Sequence, residues 1–312
     1  MNGAPRISIV MPVHNTARFV VEAMRSVLDQ DLHELELILI DDGSSDDSVQ
    51  RIRSIADPRI TLLSNPTAGG PSRARNQGIR AATAPYIAFL DSDDVMDAGS
   101  LRSAVEALDL APTAAIAFGD LRRIDLAGAL LAASVLADYP VLQELRKTLL
   151  VGTWSFIERT VFARGLLDEN FIGTGSVVVR ASSLARVGVF DESLFNSEDR
   201  DLWFRLSREG DALLSSAIRY SYRLNPTSIS NSGGDRNARN RIEVLRRERV
   251  HWTDPEALRQ IDRLIAENHA IVGYAQRARG QRVGAAASFL RAFRAAPAAS
   301  ALKACVGSLL GR

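Results

Sequence analysis

Short apolar runs separated by helical stretches constrain this chain most. Arg6 to Met11 (RISIVM), Leu35 to Ile40 (LELILI), Ile60 to Leu63 and Tyr86 to Leu90 (YIAFL) each read as a buried strand. Between them, Phe19, Val20, Ala23, Val27 and Leu28 repeat at helical spacing, as do Val49, Ile52 and Ile55 behind Asp46 as N-cap, and Ala74, Gly78 and Ile79 within Ser72 to Ala82. Strand–helix alternation of this kind predicts an α/β protein with a mainly parallel sheet covered on both faces. Ligands of such sheets bind outside the carboxyl ends of the strands.

Three of those ends carry polar clusters: Pro12-Val13-His14-Asn15, Asp41-Asp42-Gly43-Ser44, and Asp91-Ser92-Asp93-Asp94. The topology predicts that they converge on one edge. Side chains alternate along an extended backbone, so Asp91 and Asp93 point the same way. Acids held together repel unless a cation joins them, and carboxylate oxygens suit Mg²⁺ or Mn²⁺. A solvated acidic turn with a helix cap explains the same residues, and Asp41-Asp42-Gly43-Ser44 also reads as a bare turn.

Several ligand classes are excluded. The first strand is followed by PVHN rather than G-x-G-x-x-G, which argues against a dinucleotide fold. A receiver domain needs a lysine at a later strand end; the chain has only Lys147 and Lys303, and Lys147 sits in a helix-like segment. Net charge is +1, so no overall field points to nucleic acid. Cys305 is the single cysteine, which rules out an intrachain disulfide and a cysteine zinc site. No cationic-then-apolar leader opens the sequence, and Leu126 to Ala137 is too short to span a bilayer. The expected location is the cytoplasm, including the inner face of a membrane.

ISIVMPVHN, ILIDDGSSDDS, ARNQGIRAA, YIAFLDSDD, TGSVVVRASSLARVGVFDESL and SEDRDLWFRLSREG, in this order and spacing, resemble the inverting family 2 glycosyltransferases of the GT-A fold, over roughly residues 6 to 230. The resemblance implies a GT-A type, mainly parallel sheet flanked by helices in residues 1–230, with a C-terminal helical extension in 231–312. It implies that Pro12, Val13, His14 and Asn15 line the nucleotide pocket, largely through backbone. Asp42 would hydrogen-bond the base, with Asp41 supporting its loop, and Arg75 and Asn76 would lie near ribose and phosphates. Asp91 and Asp93 match the D-x-D motif with Ser92 between them: Asp91 near ribose or metal-bound water, Asp93 the direct ligand of Mn²⁺ or Mg²⁺. Asp199 matches the catalytic base, with Glu198 beside it. Gly173, Thr174 and Gly175 would lie against donor sugar and acceptor. Where many relatives carry histidine after the last strand, this chain has Asn225.

Other segments keep two readings. Asp199 at the head of a helix also reads as a cap. Trp154 or Phe156 would stack on a sugar ring or pack in the core. Val141 to Leu150 reads as helix. Asn225 to Asp235, rich in Ser, Gly and Asn, reads as a lid over bound donor. The arginines among Arg236 to Arg249 form a solvated face paired to Glu243 and Glu248, or meet anionic lipid or a phosphorylated acceptor. Gly273, Gly280, Ala285, Phe289, Ala292 and Pro297 fall on tetratricopeptide-like offsets, so Pro255 to Ala296 reads as a helical hairpin. The last segment would cap that hairpin, form a homodimer or touch membrane.

The sequence thus predicts a metal-dependent glycosyltransferase. It would take a nucleotide-sugar donor, a UDP-sugar by preference, and a saccharide or lipid-linked acceptor in bacterial surface glycan synthesis. A nucleotidyltransferase and a non-catalytic saccharide-binding or scaffold relative remain as alternatives.

Overall fold

The computed structural model describes residues 3–225 and 234–310. In chain order these form β1 (Ile7–Val13), α1 (Val20–Leu28), β2 (Leu35–Asp42), α2 (Ser48–Arg53), β3 (Ile60–Asn65), α3 (Pro71–Ala81), β4 (Tyr86–Phe89), β5 (Val95–Met96), α4 (Ser100–Leu110), β6 (Ala114–Ile124) and β7 (Leu130–Ala132). Next come α5 (Pro140–Glu144), β8 (Thr148–Val151), β9 (Trp154–Ile157), α6 (Arg159–Asp168), β10 (Val178–Arg180), α7 (Ala181–Val187), α8 (Glu198–Glu209) and β11 (Asp211–Arg223). Four helices follow: α9 (Asp235–Arg249), α10 (Pro255–Ala278), α11 (Arg282–Ala295) and α12 (Ala299–Leu309).

One mixed sheet runs β3-β2-β1-β4-β10-β6-β11-β9-β8, with β5 added to β11 and β7 to β6. The first four strands in this order are parallel, as the alternation predicted. β10 is antiparallel to both its neighbours and joins that half to the parallel pair β6 and β11. β1 is the axis of the parallel half. Ile7, Ile9, Val10, Met11 and Val13 are fully buried, which is why its sequence is apolar on both faces. α1 covers one face with Val20, Ala23, Met24, Val27 and Leu28, the i, i+3, i+4, i+7 stripe read from its sequence.

The chain divides into two compact units: Met1–Glu192 with Leu202–Asn225, and Ser193–Asp201 with Pro226–Arg312. The helical unit also takes in the segment that opens α8. Within the helical unit, α10 and α11 form the expected hairpin, and a Cβ on Gly273 would stand 2.9 Å from the Phe289 ring. Only glycine lets the two helices close this far.

The middle of the chain differs from its sequence reading. Val141 to Leu150 is not one helix: α5 ends at Glu144 and Thr148–Val151 is a strand on β9. Pairing with β9 supplies the backbone hydrogen bonds that a second helical turn would otherwise have made. No described helix is long and apolar enough to cross a membrane. The expected lid falls mostly on residues 226–233, outside the described residues.

Candidate active site

β1, β2 and β4 are parallel and adjacent, with Val13 beside Asp41 and Val10 beside Phe89. Their carboxyl ends therefore share one edge of the sheet, and the three polar clusters emerge there together. The Leu90 N–H donates to the Val10 carbonyl at 3.2 Å, and the Asp94 N–H donates to the Asp91 carbonyl at 3.0 Å. The chain thus leaves β4 in a tight acidic turn.

The acids of this turn differ in surroundings. Asp91 is half-buried and accepts from Arg75 Nη2 at 2.7 Å. Asp94 is buried, and its Oδ1 accepts the Arg223 N–H at 2.8 Å. Burial, then Asp93 and Asp91, holds the Asp94 carboxyl well above the usual carboxylate range. Asp93 has no ion pair among the described residues. Burial and the neighbouring Asp91 charge push its carboxyl up to about 6, against a smaller lowering by Arg223. Two carboxylates at odds with each other, one of them without a counter-ion, are the donor set that a hard divalent cation relieves. Among the described residues no cluster of three or more His, Cys, Asp or Glu side chains is arranged around a metal position. A cation here would draw on Asp91 and Asp93 and complete its shell from outside the protein.

Arg223, the last residue of β11, holds the turn from behind. It is 3% exposed. Its Nε donates to the Asp93 carbonyl at 2.8 Å, Nη1 to the Asp125 carbonyl at 3.2 Å, and Nη2 to Glu22 Oε2 at 2.8 Å. Its guanidinium also lies 4.7 Å from the centre of the Phe19 ring. Sequence reasoning passed over this residue. The available signal was an arginine closing the last strand of the sheet in a chain whose acidic turn required a buried donor.

The β1 and β2 ends interlock through side chains. His14 Nδ1 donates to the Asp42 carbonyl at 2.9 Å. Asn15, in the left-handed region at φ 53°, donates its N–H to Ser44 Oγ and accepts from the Ser45 N–H. Asp41 Oδ1 accepts the Ser44 N–H at 3.1 Å, the loop support expected of it. Asp42, expected to meet the base, accepts from Asn65 Nδ2 on Oδ1 and from the Gly69 and Gly70 N–H groups on Oδ2, at 2.7–3.0 Å. It organises the loop before α3, and its Oδ1 retains an acceptor position for a ligand. Ser92 is buried against Thr16, Oγ to Oγ1 at 2.9 Å, and ties the acidic turn to β1's loop.

Four expected site residues have partners within the fold. Asn76 is 1% exposed. Its amide oxygen accepts the Phe190 N–H, and its two amide hydrogens go to the Phe190 carbonyl and Glu192 Oε1. Both amide hydrogens and one acceptor position of its oxygen are in use, so it clamps the Phe190 loop. Trp154 is 3% exposed, lies under the Arg219 guanidinium and donates Nε1–H to Ser103 Oγ at 2.8 Å. It belongs to the core and offers no face to a sugar. Gly175 is buried; a Cβ there would stand 2.7 Å from the Tyr220 ring, and one on Gly173 would overlap the Tyr220 hydroxyl. The close approach that requires these glycines is to Tyr220, while Thr174 between them is half-buried.

Asp199 and Glu198 occupy the first turn of α8, in the segment that belongs to the helical unit. Asp199 Oδ1 accepts the Arg200 N–H at 2.7 Å. Ser197, just before the helix, sits at φ 65°, and the Asp201 N–H donates to its carbonyl at 3.0 Å. A non-glycine residue in the left-handed region at the head of an acidic turn marks a backbone held in place by its surroundings.

Comparison with known proteins follows this geometry. Residues 8–133 match the family model described as glycosyl transferase family 2. The succinoglycan biosynthesis protein ExoO of Rhizobium meliloti is 29% identical over 280 residues, 89% of this chain and 73% of that protein. The UDP-Glc:alpha-D-GlcNAc-diphosphoundecaprenol beta-1,3-glucosyltransferase WfgD of Escherichia coli is 28% identical over 228 residues, 72% of this chain and 80% of that one. Other relatives match over only 92 residues, so that this chain spans 37% and 31% of their lengths. The crystal structure of S. aureus TarS 1-349 in complex with UDP-GlcNAc superposes with a TM-score of 0.68 at 17% identity, over 97% of this chain and 89% of that one. That likeness establishes the GT-A fold. The acidic turn and both the β1 and β2 loops lie inside residues 8–133, the stretch that matches glycosyl transferase family 2.

Proposed function

We propose that the chain is an inverting, metal-dependent glycosyltransferase. It moves a sugar from a UDP-sugar to a hydroxyl of a saccharide or lipid-linked acceptor during bacterial surface glycan synthesis. The observation that carries this reading is the shared edge of β1, β2 and β4, where the β1 and β2 loops stand beside an acidic turn whose Asp93 has no ion pair among the described residues. The name of ExoO records succinoglycan biosynthesis, that of WfgD records glucosyl transfer from UDP-Glc to alpha-D-GlcNAc-diphosphoundecaprenol, and UDP-GlcNAc is the ligand of the TarS complex.

The residues divide the work as follows. The β1 and β2 loops, spaced by His14 and Asp42, receive the base, with backbone from Pro12 to Asn15 forming the wall. Arg75 orients Asp91 toward ribose and diphosphate. Asp93, with Asp91, would hold Mn²⁺ or Mg²⁺, which when bound neutralises charge on the departing diphosphate. Asp199 takes the proton from the acceptor hydroxyl, and Glu198 shapes the turn around it. A single displacement assisted by one base inverts the anomeric centre; a double displacement would need a second carboxylate as nucleophile.

The test is turnover on a panel of nucleotide sugars with and without Mn²⁺, reading the released nucleotide and the anomeric configuration of the product. UDP release with inversion, lost in Asp93→Asn and in Asp199→Asn, supports the reading. Release of inorganic diphosphate from a nucleoside triphosphate supplied with a sugar 1-phosphate instead would assign a nucleotidyltransferase, and no release with any donor would assign a binding relative.

A further inference from the structure

The helical unit contains a cavity of about 390 Å³ lined by Arg239, Ile242, Glu243 and Arg246 of α9, His269 and Val272 of α10, and Ser288 and Arg291 of α11. Positions 239, 242, 243 and 246 recur every three or four residues, so one stripe of α9 faces it. Its volume lies at the small end of the range for small-molecule sites, roughly 300–1,000 Å³.

The charges around this cavity do not balance. Glu243 accepts from Arg247 Nε at 2.9 Å. Arg239 is held by Asp235, which also accepts from Arg279. Arg246 has no acid partner among the described residues: its Nη2 lies 3.3 Å from His269 Nε2 and donates to the lone pair of a neutral ring. Arg291 has no ion pair among the described residues. His269 is 7% exposed. Burial, then Arg246, Arg291 and Arg239, pushes its imidazole down to about 4, so the cavity carries a positive field that its own residues leave in place.

We propose that this cavity is a binding site for a phosphate ester or diphosphate group of a small organic ligand, held by Arg246 and Arg291 and gripped by His269 as a third donor. Planar guanidinium forks match phosphate oxygens, and an imidazole that gains a proton next to the anion adds a charge-assisted hydrogen bond. Ile242 and Val272 give the organic body an apolar floor. The site lies within the helical unit and stands independently of the reading given to the acidic turn.

The experiment uses the full chain labelled on histidine and follows the His269 ring by NMR, its signal assigned with His269→Gln. The probe is inorganic diphosphate in EDTA, which removes the divalent ions that the acidic turn would require. Binding is expected to raise the His269 transition by about one pH unit, a tenfold shift in its protonation equilibrium. Arg246→Ala with Arg291→Ala should weaken the response tenfold or more while helix content stays unchanged by circular dichroism. No shift up to about 10 mM diphosphate, or the same shift in the double variant, would overturn the proposal. Vesicles of phosphatidylcholine with phosphatidic acid distinguish the source. A shift with vesicles as well as with diphosphate assigns the phosphate to lipid, a shift with soluble diphosphate alone assigns a soluble ester, and silence to diphosphate overturns the site.

Discussion

Arg75 Nη2 and Asp91 Oδ1 stand 2.7 Å apart, with the arginine side chain 6% exposed and the aspartate 38% exposed. The guanidinium also lies 5.5 Å from the centre of the Phe190 ring, and Phe190 in turn is clamped by Asn76. α3 therefore controls both the direction of Asp91 and the loop that carries Phe190, from two consecutive residues.

Arg75→Lys removes the planar fork and the stacking while keeping the charge. Because Asp91 is partly solvated, the loss is expected to be about 1–3 kcal/mol, below that of a fully buried pair. On turnover this should read as a roughly 10- to 100-fold fall in kcat/KM for the nucleotide sugar. A matching kcat/KM for the variant would show that Asp91 keeps its direction without Arg75.

On the proposed reading, Asp93 would set the pH dependence of metal binding. With its carboxyl raised to about 6, protons compete with a cation below that pH. The stabilisation by Mn²⁺ in thermal melts should weaken about tenfold in affinity per pH unit below about 6 and level off above it. Without metal the sign is the reverse: the fold favours the protonated form, so this stabilising contribution is present below the unfolded value of 3.8 and is lost as pH rises through about 6. The metal-free wild type should therefore lose up to roughly 3 kcal/mol over that window relative to Asp93→Asn. Asp93→Asn should also show no Mn²⁺ shift in its melts.

His269 acts in the opposite sense. Its folded value is about 4 against an unfolded 6.5, so its neutral form is the one the helices accept. Its contribution is full above pH 6.5 and is lost as pH falls through about 4. Denaturant titrations of wild type and His269→Gln should diverge across that window by at most about 3 kcal/mol. A constant difference between the two at every pH would place the His269 transition at its unfolded value.

Trp154→Phe tests whether the indole is core. The change removes the hydrogen bond to Ser103 and some packing beneath Arg219. The expected cost is about 1–2 kcal/mol of stability, from one lost hydrogen bond and a small void. Kinetic constants for donor and acceptor should stay within about twofold. A selective rise in acceptor KM would return Trp154 to the sugar site.

Where the chain alternated apolar strand with amphipathic helix, its sequence was enough to place the acids. The runs before Asp41 and Asp91 are continuous and buried on both faces, which fixes them as central parallel strands and fixes the edge on which they end. The loops were legible in kind, since Asp41 and Asn15 do the turn work that their side chains suit. What escaped was every partner distant in sequence. Asn76 meets Phe190 across 114 positions, Arg223 meets Asp94 across 129, and Trp154 meets Ser103 across 51. Local periodicity carries no record of such pairs, so a buried polar side chain and a ligand-facing one look alike. Val141 to Leu150 failed for a related reason: its apolar spacing suits a helix, but the edge of β9 offered a strand partner.

Arg223 is the latest residue in the chain order of the acidic turn, and its four hydrogen bonds reach back to Glu22, Asp93, Asp94 and Asp125. A growing polypeptide leaving the ribosome has all of those acceptors long before it has the Arg223 guanidinium and backbone N–H that gather them. A fragment ending at residue 133 would hold every aspartate of the turn with Asp94 lacking its donor, so in biosynthesis the turn must wait for β11.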